Sequence, residues 1–364
     1  MNIQQARTES FEYHRRHPDV SLESHVRQRR LALGAQTASV LKVYLDLRFW
    51  ILFRKAKITG DRTSEIALLL DHLLDLVRNG LAVCPISEST FIELLKQDCP
   101  NTRRSTADLI DHLSRGVSFV PYPDRVRQEL CHSYYYFSGV EDLVPIEHCV
   151  WTKLPYVLGE HHPTNTPFPE GEELIIQKAF FDHLWGVSLV DMIDSADLNS
   201  LPENNWDATA ERLNKANSEH RRELRSFPHA YRIEFEGTLS LFTSDIKLIT
   251  QNLRSMGIQN IGVMLPKKSQ TAKFKIFAKS IPTLHIGSCC HAAVRWNSGQ
   301  KLDGNDLFDF HHAQGALGYC DVFLTEGPLR DQLHQKHHRL SEDYACEIFS
   351  SAQDALEWFG ARDG

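Results

Sequence analysis

Glycine and proline are scarce, 19 and 15 among 364 residues, which excludes collagen-like and low-complexity architectures. With 42% hydrophobic and 10% aromatic residues the chain can bury a core, so disorder is excluded as well. An excess of positive charge is also missing. Forty Lys and Arg stand against 47 Asp and Glu, a formal net charge of −7, so no uniformly basic coat grips nucleic acid and any such contact must be local. No run approaches the ~18 uninterrupted apolar residues of a membrane span, and the opening MNIQQARTESFEYHRRHPDV lacks the apolar stretch of a secretory signal. A cytoplasmic protein with no membrane contact is expected. The eight cysteines show no CxxC and no framework spacing, so reduced thiols are expected and no structural zinc site is indicated.

What is present is alternation. At ~150 residues per domain the length suggests two or three units, or one domain with a large insertion. Residues 1–37 are polar, rich in Arg and His, and read as a helical or partly ordered arm. The apolar, β-favouring run Val40 to Leu45 ends in Asp46 and passes into the helix that begins Phe49-Trp50. Further strands are expected at 81–84, 117–120, 320–324 and 345–349, with helices between them. Among these helices, one is capped by Ser64, one runs from Ser87 to about Lys96, and one runs from Asp306 to Leu317. Residues 138–270 break the rhythm. They read as a mainly helical insertion, including one long helix from Pro228 towards Met256 that stops at Gly257. The core then consists of 38–137 and 271–364, an α/β fold with a parallel sheet whose functional groups gather at the carboxyl ends of the strands.

Acids recur at those ends. Asp46 follows the first strand, Asp321 lies in the strand beginning Tyr319-Cys320, Glu326 closes that strand, and Asp306 and Asp309 lie one helical turn apart. Converging carboxylates repel one another unless some keep their protons or a hard divalent cation sits among them, and Mg²⁺ or Mn²⁺ is the expected occupant. Such ions support phosphodiester hydrolysis by activating a water and screening the phosphate. Lys267, Lys268, Lys273, Lys275 and Lys279 form the only dense basic stretch and can track a nucleic-acid backbone or simply be solvated.

The segments VYLDLRFWILF, LAVCPISESTFIELL and NDLFDFHHAQGALGYCDVFLTEGPL resemble the PIN-like nuclease superfamily in the order and context of their acids, over residues 38–137 and 280–364. The resemblance implies a three-layer parallel-sheet PIN-like core and a metal-dependent endoribonuclease. It makes Asp46 the first metal ligand, Glu93 the second, Asp309 the third, and Asp321 or Glu326 the fourth, with Asp306 standing in for Asp309 or assisting it. Glu88 competes with Glu93. Arg48 stands two places after the first Asp, where the family often has a small polar residue, and becomes a phosphate clamp or a neutraliser of the cluster. His312, Lys273 and Lys275 are further candidate substrate contacts. RNA is the expected partner, with a second copy or another protein docking on the insertion. The competing expectation is a PIN-like fold kept as a non-catalytic RNA-binding or assembly module.

Overall fold

The computed structural model describes residues 3–195, 205–259, 261, 272–297, 299–337 and 340–363; Lys267 and Lys268 lie outside them. The described strands are β1 (Leu41–Leu45), β2 (Ala82–Val83), β3 (Val117–Phe119), β4 (Trp151–Lys153), β5 (Val322–Leu324) and β6 (Glu347–Phe349). Four of them form a parallel sheet in the order β2-β1-β5-β6. β3 and β4 pair antiparallel, and a parallel bridge between Ile86 and Ser118 ties them to the β2 side. The fold is therefore α/β. No described helix is long and apolar enough to cross a membrane.

Alternation along the strands decides what each face of the sheet buries. Val43, Leu45, Val322 and Leu324 point to one side, where Trp50, Phe53, Leu69, Leu109 and Phe359 pack on them. Tyr44, Val83, Phe323 and Ile348 point to the other, against Ile286, Phe310, Ala313 and Leu317. Because both faces are covered, the central strands read as continuous apolar runs.

The connections explain the site's location. From β1 the chain moves outward in one direction to β2, while the strands on the other side of β1 come from the far end of the polypeptide. The order reverses between β1 and β5, and at such a point the loops leaving the carboxyl ends part to open a crevice.

Helix boundaries follow local signals. Ser64 accepts the Ala67 N–H at the head of Glu65–Arg78, and Asp303 and Asp306 form a reciprocal capping box at the head of Gly304–Tyr319. Two expectations are revised. The helix past Pro228 is two helices, Phe227–Ser240 and Thr243–Ser255, and the break places Leu239, Phe242, Ile249 and Leu253 in a core shared with Val126, Leu130 and Phe277. β4 was unforeseen because three residues carry no readable period. The first 37 residues supply two helices, Ile3–Arg16 and Leu22–Ala38. Val26 packs with Tyr156 and Phe181, and the Lys178 ammonium donates to the carbonyls of His17 and Val20.

Candidate active site

Asp46 extends the β1 ladder by one residue, its N–H donating to the Leu324 carbonyl at 3.0 Å, and then caps the helix Leu47–Thr59. Its Oδ1 accepts the Phe49 N–H at 3.2 Å, and the Trp50 indole donates to the Leu45 carbonyl, also at 3.2 Å, bracing the junction. Oδ2 is buried with no close hydrogen-bond partner, and the hydroxyl of Thr325, which acts on this carboxyl, is buried and unpaired as well. An ordinary N-cap thus accounts for only half of this carboxylate.

Asp309 and His312 lie three residues apart on the helix Gly304–Tyr319 and share a face. The His312 ring is buried, with Nδ1 2.7 Å from the Tyr44 hydroxyl and Nε2 2.7 Å from Glu93 Oε2. The Tyr44 hydroxyl also meets Ser87 Oγ at 2.6 Å and Thr90 Oγ1 at 3.1 Å. One buried polar chain therefore joins β1, the helix Glu88–Leu95 and the helix Gly304–Tyr319. Ser87 stands at the N-cap of Glu88–Leu95 but makes no side-chain cap and directs its hydroxyl to Tyr44.

The charges read each other across these elements. Burial pushes Asp309 up to about 7, with Asp46, Glu93 and Glu326 adding repulsion and His312 opposing it. Asp46 is raised to about 6, again mainly by burial with Glu326 adding, while His312, the Phe49 N–H and Thr325 pull it down. Burial disfavours charge on His312, but Tyr44 and Glu93 outweigh it and hold the imidazole well above its ordinary value. The carboxyl groups of Asp46, Glu93, Asp309 and Glu326 thus act on Asp309 or Asp46 from four elements, with His312 opposing their repulsion, and Asp309 shares its proton about evenly with solvent near neutrality while Asp46 gives it up at a slightly lower pH.

Other candidates lie elsewhere. Asp321 is at the amino end of β5, the opposite end of the strand from Thr325 and Glu326. There its Oδ2 accepts the Lys42 N–H at 2.7 Å and pairs with the Lys42 ammonium at 2.9 Å, so its role is to join two strands. Asp306 is spent on the capping box, accepting the Asp303 N–H at 2.8 Å. Glu88 accepts the Tyr122 N–H with both oxygens and caps that helix, which leaves Glu93 as the acid of its own helix that reaches the cluster. His312 has both ring nitrogens engaged inside the protein, with Tyr44 and Glu93. Arg48 is exposed on the first turn after Asp46 and forms no ion pair among the described residues. Lys273 and Lys275 are exposed on Ala272–Lys279, a helix whose Phe274 and Phe277 belong to a different core. Glu326 is exposed at the head of Gly327–Leu333 and makes no capping hydrogen bond.

Residues the sequence reading passed over complete the picture. Tyr44 lies two positions before Asp46, and strand alternation alone places both on one face. Lys96 lies 4.2 Å from the Phe308 ring, and Trp206 packs edge-on to Phe308 and His311. The helix Trp206–Glu219 therefore borders the helix that carries Asp309.

The donor set suits a hard cation in one particular way. Among the described residues, no three carboxylates of this cluster bring oxygens within 4.8 Å of one another, so it is not a closed cage. Mg²⁺ does not need a cage, because it keeps several waters and is held by one or two carboxylates together with substrate phosphate. Asp46, whose Oδ2 has no close partner, and Asp309, which burial and neighbouring acids make reluctant to ionise, are the carboxyl groups available for that. Comparison with family models, curated proteins and solved structures gives no match to this chain.

Proposed function

We propose that this protein is a metal-dependent endoribonuclease of PIN-like type, with its site at the carboxyl ends of β1 and β5. The observation that carries the reading is the electrostatic coupling of Asp46 and Asp309, 263 positions apart (309 − 46), a buried carboxyl and a half-buried one, with a buried Asp46 oxygen left without a close hydrogen-bond partner. Helices on both faces of the parallel sheet support the three-layer architecture this implies. Asp46 and Asp309 would hold Mg²⁺ or Mn²⁺, which when bound supplies the Lewis acidity that activates a water and screens the phosphate. Glu93 is oriented by its contact with His312 Nε2. Glu326 is the exposed acid at the rim, and Arg48 is placed to meet a phosphate from the solvent side. The helix Trp206–Glu219, next to the Asp309 helix, is where the inserted region would touch substrate.

The test is incubation of the protein with a mixed panel of RNA and DNA in Mn²⁺, with and without chelator, beside Asp46→Asn and Asp309→Asn. RNA cleavage that the chelator stops and that each substitution lowers by on the order of 10²-fold or more supports the reading. Tight RNA binding that is indifferent to chelator and yields no products overturns it in favour of a non-catalytic binding module.

A further inference from the structure

A second convergence of metal-ligating side chains involves none of the acids discussed above. His14 on Ile3–Arg16, His25 on Leu22–Ala38 and Asp182 on Glu170–Trp185 come from three different helices. Among the described residues it is the only set in which three His, Cys, Asp or Glu ligand atoms all lie within 4.8 Å of one another. His14 Nε2 lies 2.8 Å from Asp182 Oδ2, and His25 Nε2 lies 2.9 Å from Asp182 Oδ1. The two rings meet edge to face with centroids 4.6 Å apart, and both histidines are buried. We propose that His14, His25 and Asp182 form a zinc site that clips the N-terminal helices to the helix Glu170–Trp185.

The chemistry of the donors selects the ion. Two imidazole nitrogens and one carboxylate oxygen suit Zn²⁺, whereas Mg²⁺ and Mn²⁺ favour an all-oxygen shell. Both Nε2 atoms point at one carboxylate. An ion taking their place needs each imidazole to carry its proton on Nδ1, a change of tautomer with no change of charge. Ser10 Oγ donates to Asp182 Oδ2 at 2.8 Å, the kind of outer contact that orients a ligating carboxylate. The Asp182 side chain is 21% exposed, so solvent can reach the remaining coordination position. The ring of His25 is also held edge-on by Phe181, with centroids 5.7 Å apart, so its direction is fixed by packing.

Two cations oppose the ion, the buried Lys178 ammonium, whose charge acts on His14, and Arg29. Arg29 Nε lies 3.7 Å from Asp182 Oδ1 and partly satisfies that charge. Its removal is therefore an informative variant, because a simple ion-pair pin would be weakened by losing Arg29 while a zinc site would be strengthened.

The experiment loads purified full-length protein with Zn²⁺, removes loosely held ions on a desalting column, and measures bound metal by mass spectrometry. Co²⁺ serves as a spectroscopic substitute. The proposal expects one retained zinc per chain and visible d–d absorption typical of a low-coordinate nitrogen and oxygen site with Co²⁺. Retention should fall at least tenfold in His14→Gln, His25→Gln and Asp182→Asn, rise in Arg29→Gln, and stay unchanged in Asp46→Asn, which separates this site from the acidic pocket. No stoichiometric zinc in the wild-type protein, or full retention in all three ligand variants, overturns it. Should those variants fail to fold, the wild-type Co²⁺ spectrum decides, since absorption lacking imidazole ligation overturns the proposal equally.

Discussion

His312 Nε2 and Glu93 Oε2 are 219 positions apart in the chain and 2.7 Å apart in the fold. Removing the imidazole leaves a half-buried carboxylate and the Tyr44 hydroxyl without their shared partner, in surroundings where an unmet polar group costs about 1–3 kcal/mol. His312→Ala is therefore expected to lower stability by at least that amount, because a cavity is added to the loss. His312→Gln, which can still donate to one partner, should lose less. Urea unfolding of both variants checks the order.

The pH dependence of stability has a sign that can be worked out. Asp46 and Asp309 bind protons more tightly in the folded state, at about 6 and about 7, than in the unfolded chain. Their contribution to stability is fully present below the unfolded carboxylate value of about 4 and is lost as pH rises through the folded values. In the absence of metal, Asp309→Asn should therefore be more stable than wild type at pH 8, by about 1–3 kcal/mol once solvent screening is allowed for. The difference should shrink towards pH 4. Adding Mg²⁺ should stabilise wild type and leave the variant unmoved. Denaturant midpoints at several pH values, with and without the ion, decide it.

Asp321 and Glu326 sit at opposite ends of β5. If the acidic pocket cleaves RNA, Asp321→Asn should keep its activity while losing part of the Lys42 attachment, an effect of up to about 1–3 kcal/mol. Glu326→Gln, exposed and without a capping bond, should fold as well as wild type and cleave more slowly. Single-turnover cleavage beside thermal melting separates the two.

Gly34 tests the docking of the second helix. A Cβ added there would stand 2.1 Å from the His148 carbonyl oxygen, a backbone atom that cannot swing aside. Helix propensity alone favours alanine over glycine by roughly 0.8–1 kcal/mol. The close approach reverses the sign, and Gly34→Ala is expected to be destabilising by about 1–3 kcal/mol. Earlier proteolytic cutting near residues 17–21 than in wild type is the expected readout.

Much of the architecture was legible in the chain. Val43-Tyr44-Leu45 and Val322-Phe323-Leu324 are unbroken apolar triplets, as strands covered on both faces must be. Asp46 announced itself as the residue that ends one such strand and begins a helix. Glu93 and Glu88 looked equivalent because both lie on the same short helix, and only the position of Tyr122 and His312 in space told the cap from the cluster member. The two carboxylates read on β5, Asp321 and Glu326, were likewise inseparable by period, since alternation names a face of the sheet and is silent about which end of the strand meets the crevice.

Local preferences act over a few residues, so the sequence by itself determined where strands and helices begin, which of their sides are apolar, and that acids recur at strand ends. The partners of a side chain are set by segments that meet only when the sheet closes β1 against β5. Tertiary structure alone therefore decided that His312 is an interior ion partner, that Asp321 is tied to Lys42, and that His14, His25 and Asp182 face one another. None of those encounters leaves a trace in the spacing of residues, because the distance that matters to a charge is measured through space.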